Sequence, residues 1–267
     1  MNKNDFDHLL HVLVQDLHEY VCSDDWQRKI KGFIDELKNI YTISSDTKII
    51  SKILEIQIFP KILEFANVNG FELETAEKQN YYPDMTLIYK KDKSVKFAVD
   101  FKSTYKTKNN ECNWFTLGSH GEYFIDRTST KNIQYPYGSY SGHFCLWMIY
   151  DKSNLDIDET QIYKLQDITF ITSVISNIIF FVQEKRKIAS DIWWSWNTAN
   201  IGSIKNIDKL IAWKWVFANL WEEVFDEYWM NYWRLQIKTS DGNTKKLTQL
   251  EEFLRFKNLD LHLVNKP

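Results

Sequence analysis

Apolar residues recur near the start of the chain at steps of three and four: Phe6, Leu9, Leu10, Val12, Leu13, Leu17 and Val21, with charged and polar residues between them. That spacing puts most of them on one side of a helix and predicts an amphipathic helix over residues 5–21. A second run, carrying Ile49, Ile50, Ile53, Leu54, Ile62, Leu63 and Phe65, predicts a helix over residues 46–68 with Asp46 or Ser45 as its cap. Pro60 is expected to bend or divide it, because proline has no N–H to give the preceding turn. Asn69-Gly70 reads as the turn that ends it.

The period then changes from helical to alternating. Residues 85–89 and 95–101 predict two strands joined by the charged turn 90–94, a hairpin signature. In the second strand Val95, Phe97, Val99 and Phe101 alternate with Lys96, Ala98, Asp100 and Lys102, so one face is expected to be core and the other to carry chemistry. Apolar stretches at 143–150, 170–182 and 187–196 predict further strands, and the Trp-rich stretch 211–235 predicts a helix. No repeat and no low-complexity linker interrupts the pattern. The expected fold class is α/β (α+β), one mixed central sheet flanked by helices, in a single domain over residues 1–267.

Composition narrows the class without naming a function. The 267 residues include 44% hydrophobic and 16% aromatic, with 8 Gly and 4 Pro, which is enough to bury a sizeable core and excludes a disordered chain. The first residues, MNKNDFDHLLHVLVQDLHEYV, mix acids and histidines into the apolar run and do not read as a secretory signal. No uninterrupted apolar run is long enough to predict a membrane span. Cys22, Cys112 and Cys145 are odd in number and widely spaced, which favours reduced thiols and a cytoplasmic location. His8, His11 and His18 have poor spacing for a metal site and read as surface or interface residues.

A net charge of -3 argues against binding nucleic acid by bulk electrostatics, so distribution matters more than the total. Between Tyr89 and Lys108 lie seven lysines (90, 91, 93, 96, 102, 106 and 108) against two aspartates, Asp92 and Asp100. Such a run ordinarily decorates a solvated hairpin; the alternative is that it lines a phosphate-binding cleft.

The chemistry-bearing pattern is Pro83-Asp84, fifteen residues, then Asp100-Phe101-Lys102. Period-2 alternation sets Asp100 and Lys102 on one face of one strand. The hairpin returns Asp84 beside Asp100. Two carboxylates supply the hard oxygen ligands that suit Mg²⁺, and a lysine beside them can orient or deprotonate a water and steady charge on a phosphate. The competing reading is a salt-bridged hairpin in solvent. Glu55, on the second helix, is a further carboxylate candidate, or a plain surface glutamate.

With its surroundings, the motif resembles the PD-(D/E)XK nuclease superfamily, and within it the EcoRV-like type II restriction endonucleases. The similar segments run in order: Ser45-Asp46-Thr47-Lys48 with Glu55; Gln79-Asn80 before Tyr82-Pro83-Asp84; Asp100-Phe101-Lys102 with Ser103-Thr104-Tyr105; Phe115-Thr116-Leu117-Gly118; Thr130-Lys131-Asn132-Ile133 with Tyr135-Pro136; and residues 197–204, with a weaker echo over 228–234. The resemblance implies a restriction-endonuclease-like fold and a Mg²⁺-dependent homodimer that hydrolyses both strands of double-stranded DNA at a short palindrome, GATATC being the leading guess. A cognate DNA methyltransferase would be its functional companion. Residues 1–45 would serve dimerisation and 46–267 DNA binding and catalysis. Asp84 and Asp100 would hold metal, Lys102 would be the catalytic lysine and Glu55 an auxiliary carboxylate and metal ligand. Gln79 and Asn80 would approach the minor groove, while Thr47, Lys48, Ser103 and Thr104 would lie near phosphates or couple recognition to catalysis. Asn197 and Thr198 would read bases in the major groove, where an Asn amide pairs with adenine and a Thr methyl touches thymine.

One departure affects that last role. A family member that this stretch resembles has glycine-serine-glycine before the Asn-Thr pair, and this chain has Trp194-Ser195-Trp196. Glycines admit close backbone approach and positive φ, and tryptophans do not. Trp193, Trp194 and Trp196 are either strand-face core or groove contacts. Other readings are a nickase, repair or junction-resolving nuclease on the same fold, or a catalytically silent DNA-binding module.

Overall fold

A computed structural model describes residues 1–21, 30–78, 80–119, 121–153, 158, 160–194, 200–212, 214–238 and 242–264. The helices are α1 (Lys3–Val21), α2 (Thr47–Val68), α3 (Glu122–Ile125), α4 (Ile207–Ala212), α5 (Glu222–Asn231) and α6 (Leu250–Phe256). The strands are β1 (Phe33–Ile34), β2 (Asn39–Tyr41), β3 (Phe71–Thr75), β4 (Met85–Tyr89), β5 (Lys96–Tyr105), β6 (Thr116–Ser119), β7 (Gly142–Lys152), β8 (Ile162–Lys164), β9 (Ile175–Glu184), β10 (Ala189–Trp194), β11 (Asn200–Ser203), β12 (Gln236–Lys238) and β13 (Thr244–Lys246).

The centre is a five-stranded sheet in the order β3-β4-β5-β7-β9. Only β5 and β7 run parallel; the other neighbours are antiparallel, so the sheet is mixed as the alternation predicts. β7 is buried on both faces over its first nine residues, which explains its unbroken apolar sequence. On one side α1 and α2 cover the sheet. Phe6, Leu10, Leu13 and Leu17 from α1 join Ile50, Leu54, Ile58 and Ile62 from α2 over Phe97, Val99, Leu146 and Val182. On the other side a second core joins Ala98, Cys145, Trp147 and Phe181 to α4, α5, α6 and the sheet β10-β11-β6.

Helix α2 begins where its cap predicts: Asp46 Oδ1 accepts from Lys48 N at 2.8 Å and Ile49 N at 3.2 Å. It ends at Asn69, followed by Gly70 at φ +75°, a left-handed turn that glycine adopts without strain. Pro60 does not divide it. The proline sits on the exposed side, and the carbonyl it leaves without a partner belongs to exposed Ile56, within reach of solvent.

Three further expectations change. The strand expected over 170–182 starts only at Ile175, after turns, and that over 187–196 is β10, after a 3-10 turn at Lys185–Ile188. Among the described residues of 211–235 only α5 and the end of α4 are helical. Phe217 and Leu220 are buried from turns, so the aromatic spacing there reflects packing and not a helical period. Nor is the Asp100 face of β5 open: Ala98 and Asp100 are both buried, because the second core covers that face too.

The apolar stripe of α1 is therefore used within its own chain and is not a free dimerisation face. An ion cluster pins the start of α1. Glu184, at the end of β9, accepts from Lys3 Nζ at 3.2 Å, Arg186 Nε at 3.1 Å and Lys187 Nζ at 2.9 Å. Burial pushes the Glu184 carboxyl up, but the Lys187 hydrogen bond and the charges of Arg186, Lys187 and Lys3 outweigh it and hold the pKa at about 2. A depressed carboxylate stabilises the fold above its unfolded pKa, and that contribution is lost as pH falls towards 2. Glu184→Gln should accordingly lower unfolding free energy at pH 7 by on the order of 3 kcal/mol. Urea titrations at several pH values should show the gap to the unsubstituted protein closing below about pH 4; a pH-independent gap would assign the loss to packing.

Candidate active site

β4 and β5 pair antiparallel with Met85 opposite Val99, and one more step of that register sets Asp84 opposite Asp100. The Asp84 side chain is fixed by the next strand: its Oδ2 accepts from Phe101 N at 2.7 Å. Two residues beyond Asp100 on the same face, Lys102 is ion-paired with Asp100 Oδ2. Behind them β7 runs parallel to β5, with Cys145 at the level of Asp100 and Trp147 at that of Lys102, both buried. The two carboxylates and the lysine converge as the spacing predicts, and the solvated-hairpin reading fails. The Asp100 side chain is 8% exposed and that of Lys102 23%.

Burial, then the charge of Asp100, pushes the Asp84 carboxyl up to about 7; Lys102 and the Phe101 N–H pull the other way without prevailing. For Lys102, burial alone would lower the pKa, but the charges of Asp100 and Asp84 outweigh it and raise it, so the amine is held as the cation. Burial also pushes the Cys145 thiol up to about 12, which keeps it neutral beside them. Two buried carboxylates opposed by one lysine leave an excess of negative charge that resists ionisation. Hard oxygen donors under that repulsion are suited to a divalent cation, which would relieve it.

The site borders a cleft of about 1120 Å³ between α2 and the ends of β4 and β5. Its lining includes Thr47, Lys48, Ser51, Lys52 and Glu55 from one face of α2, Lys78, and Asp84, Phe101 and Ser103 from the sheet side. Ser103 Oγ donates to Ser51 Oγ at 2.7 Å, tying helix to strand across the cleft. Glu55 lines the same cleft as Asp84 but is paired with Lys52 at 2.8 Å. Among the described residues no three His, Cys, Asp or Glu side chains form a cluster, so in this conformation Glu55 shares the cleft with Asp84 without joining a three-carboxylate group. It sits on α2, across β5 from the face that bears Asp100.

The expected DNA contacts divide. Thr47, Lys48 and Ser103 line the cleft, whereas Thr104 is buried and its hydroxyl donates to the Asn113 carbonyl at 3.1 Å. Asn80 is exposed and its amide lies 3.3 Å from Asn132 Oδ1. Gln79, Asn197 and Thr198 fall outside the described residues, as do the side chains of Trp193, Trp194 and Trp196. The seven lysines of 89–108 do not share a face. Lys93 pairs with Glu72, Lys96 donates to the Lys93 carbonyl and Lys106 lies 3.5 Å from Asp151; only Lys102 belongs to the site.

Sequence reasoning passed over Ser51, Lys52 and Lys78. The first two were within reach, since they follow Thr47 and Lys48 at helical spacing on a helix already expected. Lys185 was not: it stands in a run of three cations after β9, a pattern that ordinarily faces water, yet it is buried, with Asp100 among the charges that act on it.

Residues 22–258 match the family described as Restriction endonuclease EcoRV. The type II restriction enzyme EcoRV of Escherichia coli is 32% identical over 242 residues, which cover 90% of this chain and 96% of that protein.

The charge imbalance has a measurable consequence. A carboxyl whose pKa is raised on folding contributes stability below its unfolded pKa, and the contribution disappears as pH rises through about 7. Asp84→Asn keeps an acceptor for Phe101 N and carries no charge. In chelator, the variant should match the unsubstituted protein at pH 4 and exceed its unfolding free energy by roughly 2 kcal/mol at pH 8. Equal stability of the two at both pH values would show that no strain is stored in the pair.

Proposed function

The chain belongs to the EcoRV restriction endonuclease family, and on that premise we propose that it acts as a homodimer that uses Mg²⁺ to hydrolyse both strands of duplex DNA at a short palindrome. The observation that carries the reading is the convergence of Asp84, Asp100 and Lys102, with Asp84 opening onto a cleft whose α2 wall sets Thr47, Lys48, Ser51 and Lys52 beside the apolar Ile56, Phe59 and Ile62. A cleft of this size, open along α2, suits a polymer better than a small metabolite.

Asp84 and Asp100 would hold the ion through carboxylate oxygens. When bound, Mg²⁺ supplies Lewis-acid charge and lowers the pKa of a coordinated water. Lys102, held as a cation by the carboxylates, orients the attacking water and steadies negative charge on the phosphate; its raised pKa makes it a poor proton acceptor. Thr47, Lys48, Lys52 and Lys78 receive phosphate oxygens along the cleft. Ser103 joins α2 to the strand that bears Asp100, and Glu55 serves as an auxiliary carboxylate on the cleft wall. Gln79 and Asn80 approach the minor groove, and Asn197 and Thr198 read the major groove. GATATC is the leading candidate target, with Trp194-Ser195-Trp196 altering how the loop approaches the bases. A methyltransferase protecting the same site would accompany the enzyme in the cell.

A palindrome read by two opposed sites calls for two-fold symmetry. The surface that supports it is the small sheet β1-β2-β8, where Phe33, Ile34, Leu37 (72% exposed), Ile162, Leu165 and Phe170 (80% exposed) stand in solvent. Six exposed apolar side chains on this sheet and the turns beside it are a surface that a second copy of the chain would cover. A cytoplasmic location agrees with the free thiols of Cys112 and Cys145. Among the described residues no helix is long and apolar enough to cross a membrane.

Incubation with a sequenced plasmid and Mg²⁺, with the ends read out, tests the activity and the target together. Asp84→Ala, Asp100→Ala and Lys102→Ala should each slow cleavage at least about a thousandfold while leaving the fold intact; near-normal cleavage by any one removes that residue from the site. In the same assay Asn197→Ala should raise the barrier at the cognate site by about 1–3 kcal/mol with little effect on non-specific binding. Products nicked in one strand only would favour a nickase.

For the assembly, Ile34→Lys and Phe170→Lys should shift sedimentation from dimer to monomer. They should also convert double-strand breaks into sequential nicks. A monomeric unsubstituted protein that still breaks both strands in one binding event would overturn the dimer.

A further inference from the structure

Lys185 is among the most deeply buried side chains of the described residues, 2% exposed, and its Nζ has no hydrogen-bond partner among them. An ammonium in such a position destabilises a fold unless something offsets its lost hydration. Here the offset is a cage of rings: Nζ lies 4.8 Å from the centroid of Tyr82, 5.4 Å from that of Tyr137 and 5.6 Å from that of Phe124. Each such contact recovers only part of the loss. A neutral side chain of equal length would fill the same space, so packing alone gives no reason for a cation.

The surroundings supply one. Tyr82 is two residues before Asp84, and its hydroxyl is held by His143 Nδ1 at 2.9 Å. Asp100 is among the charges that act on Lys185, and burial, opposed by Cys145 and Asp100, leaves the amine at about 8. From the other side Gly118 of β6 closes over it: a Cβ on Gly118 would stand 3.5 Å from Nζ and 3.1 Å from the Tyr123 hydroxyl. β6 pairs with β11, and β11 with β10. The segment between β10 and β11 contains Asn197 and Thr198. One buried cation thus touches both the strand set that bears the proposed reading loop and the turn that bears a proposed metal ligand.

We propose that Lys185 is a positioning residue for the Asp84–Asp100 pair: its ammonium, held against the Tyr82 ring and beneath Gly118, fixes the turn carrying Asp84, balances the charge of Asp100 and joins the β6-β11-β10 sheet to the cleavage site. The inference rests on the reading of Asp84, Asp100 and Lys102 as the cleavage centre.

Lys185→Met separates this role from a structural one, because the two predict opposite changes in stability. Full-length protein would be compared with Lys185→Met, Lys185→Arg and, as an inactive control, Asp100→Ala. Single-turnover cleavage at increasing protein concentration separates the cleavage constant from DNA binding. Lys185→Met should unfold in urea at the same or higher concentration as the unsubstituted protein and bind duplex DNA equally well. It should cleave about a hundredfold more slowly, the scale expected when a reacting group is displaced by about an ångström. Titration calorimetry with Ca²⁺, a probe for oxygen-ligand sites, should show several-fold tighter binding, because a like charge near the ligands is gone. Lys185→Arg, which keeps the charge, should retain more of the cleavage constant than Lys185→Met. Unaltered cleavage by Lys185→Met overturns the inference, as does its failure to fold or a loss of stability in step with activity. If the unsubstituted protein left all DNA intact, the nuclease reading itself would fall, and this inference with it.

Discussion

Two carboxylates held opposite each other across an antiparallel strand pair repel each other, and much of the architecture keeps them there. The β4–β5 register sets the distance, the Phe101 N–H orients Asp84, and Lys102 is clamped to Asp100. Neither strand would hold this arrangement alone. β5 is pinned along nearly its whole length by β7, which is buried on both faces, so the backbone under Asp100 cannot relax outward. The unfavourable charge remains in the folded protein as the raised pKa of Asp84. A site that needs a divalent cation is better served by standing repulsion than by a satisfied ion pair, since the repulsion becomes binding free energy when the cation arrives.

Cores on both faces of one sheet let the molecule separate its tasks. The face under α1 and α2 builds the cleft, so the residues proposed to meet phosphates lie on a helix whose opposite stripe is locked into the core. The other face carries the aromatic core and the β6-β11-β10 sheet. The small sheet β1-β2-β8 stands at the periphery with its apolar residues in solvent. The residues proposed to cleave sit in the seam between the two cores. A change in either core therefore reaches them through backbone that packing does not allow to slip.

Stability and catalysis pull in different directions at several places. Glu184 gathers three cations and strengthens the junction of α1 with β9, as a buried carboxylate with full compensation should. Asp84 and Lys185, by contrast, are charges whose surroundings only partly compensate them. Asp84 belongs to the Asp100 site and Asp100 is among the charges that act on Lys185, so the uncompensated charge of the described site is concentrated there.

Period and punctuation in the sequence were enough for α1, for α2 with its Asp46 cap and Gly70 stop, for the β4–β5 hairpin, and for Asp100 and Lys102 on one strand face, because each depends on residues within a few positions of one another. The facing of Asp84 and Asp100 was also legible, since a short hairpin leaves few registers. What lay beyond local pattern was decided by packing. Whether the even face of β5 meets solvent depends on a core assembled from residues more than a hundred positions away, and Thr104 is turned inward for the same reason. Glu55 and Asp100 lie on opposite sides of β5 because α2 packs on the Phe101 face, a choice that no spacing encodes. The stripe of α1 looks the same whether a sheet or a second subunit covers it, and the cations after β9 look solvent-bound until a ring from 103 positions upstream, that of Tyr82, closes over Lys185. Local chemistry is written in short-range order along the chain, whereas burial is a property of what long-range contacts bring to each surface, and here only the tertiary structure supplied it.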